Sequence, residues 1–314
     1  MEEALYSDLG FFNTDQVRSD KEGDFLTSPE VSKYFGKIIR NWIHSESNLK
    51  NIIEIGSGTG SLIEQIGIKE ITAVELSSTA REELIKKGID THTTIDELTT
   101  KTSDLIFGNE ILDNIPCSIG LYKDEGWYEK VVLLEENSLA YGLRPIRNEE
   151  LDWINKNNIV PNEDYEFEIQ VNIDKFLNSV IKKINPRKIL LFDYGYEQKN
   201  RDKRMYSSLL RTYKNHHLSV DPIDDPGNID ITYDVNFSSI SSELKYLGYD
   251  VTLKLQRDFL LDNGFNIFFD ELQEKYIAAE GIEKLKINSE LNGMKAIVDS
   301  NGLGGFYCLI AEKL

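Results

Sequence analysis

The sequence predicts an α/β fold with a doubly wound parallel sheet, and three observations support that fold class. Residues 52–55 (IIEI) form a nearly continuous apolar run, which is typical of a buried parallel strand. Gly56, Gly58 and Gly60 follow at alternate positions, as expected where a strand turns tightly into a helix. Strand and helix patterns then alternate along the chain, which indicates parallel strands joined by helices.

The other predicted strands are short apolar or β-branched runs. They are residues 71–76, 91–95, 104–107, 188–192, 250–255 and 306–312. Before the first strand we predict helices around a loop at 21–29, with Ser28 as an N-cap and Pro29 as the first helical residue. The helix after this loop carries one apolar stripe, formed by Val31, Phe35, Ile38, Ile39 and Trp42. Two more helices are expected between the last two strands.

The alternation breaks after residue 116, where a β-hairpin is predicted over 118–136 around the turn Asp124-Glu125-Gly126. A helical or mixed stretch follows to about residue 185. A polar segment at 197–236 contains Pro222 and Pro226, and we interpret it as a loop insertion covering the substrate. Three parts are therefore predicted: an N-terminal helical cap (1–50), a core (51–116 and 186–314, with the loop at about 197–236) and an inserted hairpin and helical subdomain (117–185).

Composition narrows the possible functions. With 35 Lys and Arg against 54 Asp and Glu, the net charge is −19, which argues against non-specific binding to nucleic acid or to an anionic membrane surface. The two cysteines, Cys117 and Cys308, are far apart and form neither a disulfide framework nor a zinc motif, so we expect no bound metal. No basic leader pattern stands at the start of the sequence, and we expect a cytoplasmic protein.

The spacing of the glycines indicates what the turn binds. A dinucleotide fingerprint, G-x-G-x-x-G, would place its third glycine at position 61, which is Ser61 here. The observed pattern is instead E-x-G-x-G-x-G over Glu54 to Gly60, the arrangement of class I S-adenosylmethionine-dependent methyltransferases. An NAD-dependent oxidoreductase stays as an alternative that Ser61 disfavours.

The predicted cofactor, S-adenosyl-L-methionine, has no phosphate and carries a cationic ammonium and a sulfonium. Glycines let the backbone approach its methionine and ribose, Glu54 supplies negative charge, and Glu75 at the end of the next strand is placed to accept the ribose hydroxyls. The predicted cofactor-binding residues of this part of the chain are Glu54, Gly56, Ser57, Gly58, Gly60, Glu75 and Leu76.

Five further stretches extend the pattern. They are GDFLTSPEVSKYFG (23–36), GNEILDNIP (108–116), RTYKNH (211–216), PGNIDIT (226–232) and DVNF (234–237). Together with IEIGSGTGSL they occur in order and resemble the MidA family, which has the class I methyltransferase fold. That family includes a mitochondrial protein-arginine methyltransferase needed for respiratory complex I assembly. The resemblance implies a protein substrate, with an arginine side chain as methyl acceptor, and a loop of Thr27, Ser28 and Glu30 that folds over the cofactor.

Candidate acceptor-binding residues lie where the fourth strand ends. Ligands of doubly wound sheets lie at the carboxyl ends of the strands, so we predict that Glu110 and Asp113 hold the acceptor and that Asn109 shapes the cofactor side. The alternative is that Asn109 and Asp113 cap a following helix with Glu110 in its first turn.

His216 is left open as a loop anchor or a substrate contact. A non-catalytic assembly or interaction protein that keeps the cofactor site is a further alternative, which the intact acids disfavour.

Overall fold

The computed structural model describes residues 1–13, 27–136, 138–203, 208–214, 217–218 and 221–314. The strands of these regions are β1 (Ile52–Ile55), β2 (Ile71–Val74), β3 (Thr91–His92), β4 (Leu105–Asn109), β5 (Ser118–Lys123), β6 (Gly126–Glu135), β7 (Ser138–Pro145), β8 (Glu166–Ile169), β9 (Lys188–Asp193), β10 (Gly195–Tyr196), β11 (Leu210–Lys214), β12 (His217–Leu218), β13 (Asp230–Tyr233), β14 (Val235–Asn236), β15 (Tyr249–Leu255) and β16 (Tyr307–Lys313).

The α-helices of the same regions are α1 (Glu2–Tyr6), α2 (Ser28–Val31), α3 (Tyr34–Ser45), α4 (Ser61–Ile66), α5 (Ser78–Lys86), α6 (Asn148–Lys156), α7 (Val171–Ile184), α8 (Phe237–Tyr246), α9 (Gln256–Asp262), α10 (Phe265–Ala278) and α11 (Gly281–Ile297). Among the residues so described, none of the helices is long and apolar enough to cross a bilayer.

The chain divides into two compact units. The core unit comprises Asp15–Glu110, Lys182–Tyr194 and Tyr249–Leu314. The accessory unit comprises Met1–Thr14, Ile111–Ile181 and Gly195–Gly248. The predicted site residues before position 111 thus belong to the core unit, and Asp113 belongs to the accessory unit.

The core unit contains a seven-stranded sheet in the order β15-β16-β9-β4-β1-β2-β3. Strands β3, β2, β1, β4 and β9 run parallel, while β16 is antiparallel to both β9 and β15. The order reverses beside β1, because β2 lies on one side of it and β4 on the other. This is the switch point at which doubly wound sheets bind their ligands, and the predicted fold class is confirmed.

Burial explains why the core strands are so apolar. Every residue of β9 is buried, and in β1 Ile52, Ile53 and Glu54 are at most 2% exposed. The predicted helix after the loop is divided into α2 and α3, but its apolar stripe is confirmed, since Phe35, Ile38, Ile39 and Trp42 of α3 are buried in one hydrophobic cluster and Val31 of α2 packs against it. Side chains of this size each contribute about 1.5–3 kcal/mol on burial. The stripe therefore fixes α3 in the core of its unit.

The accessory unit contains a four-stranded antiparallel sheet in the order β7-β6-β5-β8. The predicted hairpin is confirmed as β5 and β6, and Asp124 and Glu125 turn the chain with φ values of 50° and 62°. Positive φ at both central residues matches the twist of the flanking strands. Trp127 and Trp153 pack in a small cluster with Phe167 and Ile169, as expected for structural aromatics. The mixed stretch after the hairpin contains two strands, β7 and β8, as well as helices α6 and α7.

The segment 197–236, which we interpreted as a loop covering the substrate, contains strands and buried residues in the structure. Its described part contains β11 to β14, and all residues from 229 to 237 are buried. The described part is therefore not an open loop, and its polar side chains can be buried because they are paired. Asp230 accepts a hydrogen bond from Asn114 and Thr232 donates one to Asp113. Buried polar groups are tolerated when their hydrogen bonds are satisfied.

Two smaller expectations also need correction. The N-cap of α2 is Thr27 rather than Ser28, which is the first residue of that short helix. The Ser28 hydroxyl donates to the side-chain oxygen of Gln256. Between β15 and β16 the chain forms three helices, α9, α10 and α11, where two were predicted. A left-handed Gly264 with φ of 104° separates α9 from α10.

Candidate functional site

The glycine turn that follows β1 adopts a backbone that favours glycine at each alternate position. Gly56, Gly58 and Gly60 have φ values of 69°, 51° and 85°. A side chain on Gly60 would also collide with its neighbours, because an added Cβ would lie 2.7 Å from Cδ2 of Leu84. Gly60 is therefore required twice, once for its left-handed backbone and once for the close approach of α4 to α5. The turn leaves main chain uncovered at the carboxyl end of β1.

Glu54, the last acid before the glycines, is 2% exposed. One of its carboxylate oxygens, Oε2, is buried and accepts no hydrogen bond within the described part of the chain. Burial raises the pKa of Glu54 well above its ordinary value, and the nearby carboxylates of Glu75 and Glu30 raise it further. An acid in this state is stabilised by a cation or a hydrogen-bond donor that reaches the free oxygen.

Glu75 lies directly after β2 and is tied to the glycine turn. Its Oε2 accepts from the backbone N–H of Gly58 at 2.8 Å, and its Oε1 accepts from the N–H of Ser77 at 2.8 Å. Burial raises the pKa of Glu75, while these backbone hydrogen bonds lower it. A carboxylate has about four acceptor positions, so Glu75 can still accept hydroxyl groups of a ligand. The structure thus brings Glu75 to the turn, as the sequence predicts.

The residues next to these acids differ in exposure. Leu76 is 51% exposed, which leaves an apolar side chain bare beside Glu75. Ser57 is 7% exposed and its hydroxyl donates to the backbone oxygen of Glu54 at 3.2 Å, so it holds the turn rather than facing solvent. Arg81, on α5, donates to the backbone oxygens of Glu75 and Leu76. These contacts fix the chain where β2 ends.

Glu110 follows β4 with a φ of 53°, a left-handed backbone that a glutamate rarely adopts. The backbone N–H of Glu110 donates to the oxygen of Phe192 in β9 at 2.8 Å, which holds this conformation. Its side-chain Oε1 accepts from Nδ2 of Asn109 at 3.0 Å and from the N–H of Ser28 at 3.4 Å. The structure thus brings together three predicted site residues.

No helix follows β4, because residues 110–117 form turns and bends until β5 begins. The alternative in which Asn109 and Asp113 cap a helix is therefore wrong. Asn109 instead orients the carboxylate of Glu110, and its own Oδ1 is buried without a hydrogen-bond partner among the described residues. Backbone strain of this kind is typically found where a side chain must be aimed at a ligand.

A residue that sequence reasoning missed anchors Ser28. Gln256, the first residue of α9, is 0% exposed, and its Oε1 accepts from the hydroxyl of Ser28 at 3.2 Å. The same side chain donates from Nε2 to the oxygen of Ile297 at 3.0 Å. Thr27, which precedes Ser28, is 8% exposed. A single glutamine after a strand matches no motif, so only the folded chain identifies this anchor.

Asp113 lies in the accessory unit, where it is 5% exposed. Its Oδ2 accepts from the hydroxyl of Thr232 at 2.6 Å, and its backbone oxygen accepts from the N–H of Tyr233 at 3.3 Å. The bond from Thr232 gives one polar side chain of the segment PGNIDIT a buried partner, and Asp113 stays a predicted acceptor ligand. His216 lies outside the described residues. No cluster of three or more metal-ligating side chains occurs in the described ranges.

The side chains at the carboxyl ends of the core unit's strands β1, β2 and β4 include several carboxylates. Glu30 and Glu75 lie close enough to Glu54 to raise its pKa by electrostatic repulsion. The backbone N–H of Gly58 already donates to Glu75. Such an arrangement disfavours a pyrophosphate and favours a ligand with positive charge and hydroxyl groups. A side-chain carboxylate that sits on a strained backbone, Glu110, adds an acceptor for a second cationic group.

Comparison with known proteins agrees with this chemistry. A sequence model of the family described as "Putative S-adenosyl-L-methionine-dependent methyltransferase" matches residues 36–252. The chain is similar to the protein arginine methyltransferase NDUFAF7 homolog, mitochondrial, of Caenorhabditis elegans, with 25% identity over 303 residues that cover 81% of this chain and 68% of the relative. The protein arginine methyltransferase NDUFAF7, mitochondrial, of Danio rerio is 24% identical over 328 residues, covering 85% and 72%.

A solved structure shares the fold over the whole chain. It is a COG1565 superfamily member and likely methyl transferase from Burkholderia thailandensis, bound to S-adenosyl-homocysteine. The TM-score is 0.85 at 22% identity, with 100% of this chain and 86% of the other chain covered. A second structure of a COG1565 superfamily protein from the same organism gives a TM-score of 0.82 at 22% identity, covering 100% and 85%.

Proposed function

The chain belongs to this family of S-adenosyl-L-methionine-dependent methyltransferases, and we propose that its methyl acceptor is an arginine side chain of a protein. The observation that carries the proposal is Glu110, whose carboxylate is held by Asn109 and Ser28 at the carboxyl end of β4. Both relatives described above are protein arginine methyltransferases, which supports the same acceptor.

The residues at the glycine turn fit the cofactor. Gly56, Gly58 and Gly60 open the backbone, Glu75 has acceptor positions left for the ribose hydroxyls, and the free Oε2 of Glu54 suits a cationic group. The proposed cofactor-binding set is completed by Thr27, Ser28, Ser57, Leu76 and Asn109. When bound, the cofactor supplies a methyl group that is already activated by its sulfonium.

In the proposed reaction the chain positions the acceptor and manages its proton. A guanidinium is permanently charged, and the carboxylate of Glu110 accepts a hydrogen bond from one of its N–H groups, which fixes the orientation of the nitrogen. That nitrogen forms the new N–C bond as the C–S bond breaks, and the sulfur keeps the bonding electron pair. The nitrogen then loses one proton to solvent or to Glu110. Alignment of this kind is the main contribution of the protein.

Methylation of a cell lysate with radiolabelled cofactor, followed by mass spectrometry of the labelled protein, tests the proposal. We expect methyl groups on arginine nitrogen. The variant Glu110→Gln should lower the rate about tenfold to hundredfold, because a hydrogen bond to a charged group contributes about 1.5–3 kcal/mol. Glu274→Gln, which changes an exposed acid of α10, is the matched control and should label like the wild type.

Calorimetric titration with S-adenosylhomocysteine separates loss of transfer from loss of cofactor binding, since Glu110→Gln should bind this compound as the wild type does. Methyl groups found on another kind of side chain, or on a small molecule, would overturn the arginine assignment. Equal labelling by Glu110→Gln and the wild type would overturn the role of Glu110.

A further inference from the structure

The hairpin of β6 and β7 has one largely apolar face whose side chains are partly exposed. The register pairs Lys130 with Leu143, Val132 with Tyr141 and Leu134 with Leu139, so these side chains share a face. The apolar members are 37% to 75% exposed: Val132 51%, Leu134 75%, Leu139 37%, Tyr141 40% and Leu143 50%. An exposed apolar face on a sheet marks an interaction surface.

Strand β7 is also the edge of its four-stranded sheet. The backbone N–H of Ile146 donates to the oxygen of Trp127 at 3.3 Å, so these two residues form a hydrogen-bonded pair one step beyond the pair of Tyr128 and Pro145. Because hydrogen-bonded and non-hydrogen-bonded pairs alternate, the backbone groups of Ala140, Gly142 and Arg144 point to β6. Those of Leu139, Tyr141 and Leu143 point away from the sheet. The outward backbone groups and the apolar face therefore belong to the same three residues.

These three residues are complementary to themselves. If β7 pairs antiparallel with a second β7 about a two-fold axis at Tyr141, then Leu139 lies opposite Leu143 of the other copy, and Tyr141 lies opposite its own counterpart. The pairs Leu139–Leu143, Tyr141–Tyr141 and Leu143–Leu139 between the two copies are then hydrogen-bonded pairs, and each pair exchanges two backbone hydrogen bonds. Pro145, which has no N–H to donate, falls beyond the last of these pairs. The apolar face then continues across the seam without interruption.

The charges along β7 permit this pairing despite a net charge of −19. The only charged residue of β7 is Arg144, which in this register lies opposite Ser138 of the other copy. Arg144 is paired with Glu129 of its own chain at 2.7 Å, so its charge is already balanced. No like charges of β7 itself meet across the seam, and beside the axis the Tyr141 hydroxyl of each copy donates to its own Asp221. Edge strands are normally protected by lysines or inward charges, and β7 has neither in its central part.

We propose that β7 is a dimerisation strand, through which two copies of this chain form a continuous eight-stranded antiparallel sheet. The interface is isologous, as expected for a two-fold dimer. The occupant is a second copy rather than an unrelated strand, because the register satisfies the outward backbone groups and pairs the apolar side chains of both partners at once.

Light scattering coupled to size exclusion tests the proposal over about 1–100 µM protein, a range that spans moderate affinities. We expect the wild type to reach twice the chain mass of 36.0 kDa. The double variant Leu139→Lys/Leu143→Lys should stay at 36.0 kDa, because it places lysines opposite one another at the seam. The matched control Ile277→Lys/Ile282→Lys changes two residues of α10 and α11 that are 79% and 74% exposed, and it should dimerise like the wild type.

A second variant keeps the test independent of how the lysines affect folding. In the proposed register the Cα atoms of the two Tyr141 residues lie about 5.5 Å apart, within disulfide range. Tyr141→Cys should therefore form a covalent dimer on mild oxidation, and Ile277→Cys should not. A wild type that stays monomeric throughout the range would overturn the proposal. A dimer that survives Leu139→Lys/Leu143→Lys and gives no Tyr141→Cys crosslink would also overturn it.

Discussion

Glu54 carries a carboxylate in surroundings that favour its protonated form. Its side chain is buried, and repulsion from Glu75 and Glu30 adds to the effect of burial in raising its pKa. A cationic ligand would reverse this balance, since an opposite charge nearby lowers the pKa of an acid. The protonation of Glu54 is therefore coupled to what binds at the glycine turn.

This coupling predicts that cofactor binding releases a proton. Below the raised pKa of the free protein, Glu54 is protonated and must ionise to hold the cation, so affinity for S-adenosylmethionine should rise with pH and level off above that pKa. Calorimetry in two buffers with different ionisation enthalpies measures the released proton. The variant Glu54→Gln should release none and bind about tenfold to hundredfold more weakly. Equal proton release by wild type and Glu54→Gln would contradict the assignment.

Gly60 and Gly88 offer a matched pair of glycines. Both have a left-handed backbone, with φ of 85° and 74°, but only at Gly60 would a Cβ meet another atom closely, at 2.7 Å from Leu84. Gly88→Ala should cost about 1–2 kcal/mol of unfolding free energy for its backbone alone. Gly60→Ala should cost about 1–3 kcal/mol more for overpacking. Urea denaturation measures both, and equal losses would show that the packing against Leu84 is easily relieved.

Among the strands, β13 differs most from what its sequence suggests. Asp230, Ile231, Thr232 and Tyr233 are all buried, so polar and apolar side chains alternate without a solvent-facing side. Each polar side chain that faces into the accessory unit has a hydrogen-bond partner, such as Asp113 for Thr232. The strand is held by these bonds as well as by apolar contacts.

Thr232→Val tests how strongly the strand depends on its polar contacts. The change keeps the shape and removes the donor to Asp113, which should lower the unfolding free energy by about 1–3 kcal/mol because a buried carboxylate loses a hydrogen bond. Thr72→Val removes a comparable bond to the exposed Asp90 and should change stability by about 0.5 kcal/mol or less. If chemical denaturation gives the two variants the same stability, the buried bond contributes little.

Elements with a strong local signal were predicted well. The run IIEI, the alternate glycines and the turn Asp124-Glu125-Gly126 each specify a conformation through a few neighbouring residues. The segment 229–237 was misassigned because hydrophobic periodicity reports burial only for apolar side chains, and its acids and amides are buried by pairing with distant residues. Gln256 and the strained backbone of Glu110 have no local signal, since contacts distant in the sequence create both.

At the scale of the whole molecule, the charge of −19 acts on any substrate before contact. An arginine-bearing peptide is attracted to such a surface, and salt screens that attraction over a Debye length of about 8–10 Å. Because the effect concerns encounter, it belongs to the binding step rather than to the chemical step. The expected attraction rests on the proposal that the methyl acceptor is an arginine of a protein.

We therefore expect KM for a basic arginine peptide to rise as salt increases from about 0.05 to 0.5 M, while kcat changes little. An acidic peptide that presents the same arginine is the control, and its KM should fall or stay constant over that range. Steady-state kinetics with both peptides measures the difference. An identical salt response of the two peptides would show that the overall charge does not guide the substrate.

The position of β16 has a consequence for how the chain is made. Synthesis proceeds from the N-terminus, so β15 leaves the ribosome before the strand that lies between it and β9. Until residues 307–313 emerge, β15 has no neighbour in the sheet, and its backbone groups stay open to other nascent chains. Strand β16 thus lies between two strands that precede it in the chain and is not added at the rim of the sheet. A chain that stops within α11 lacks the strand that joins β15 to β9.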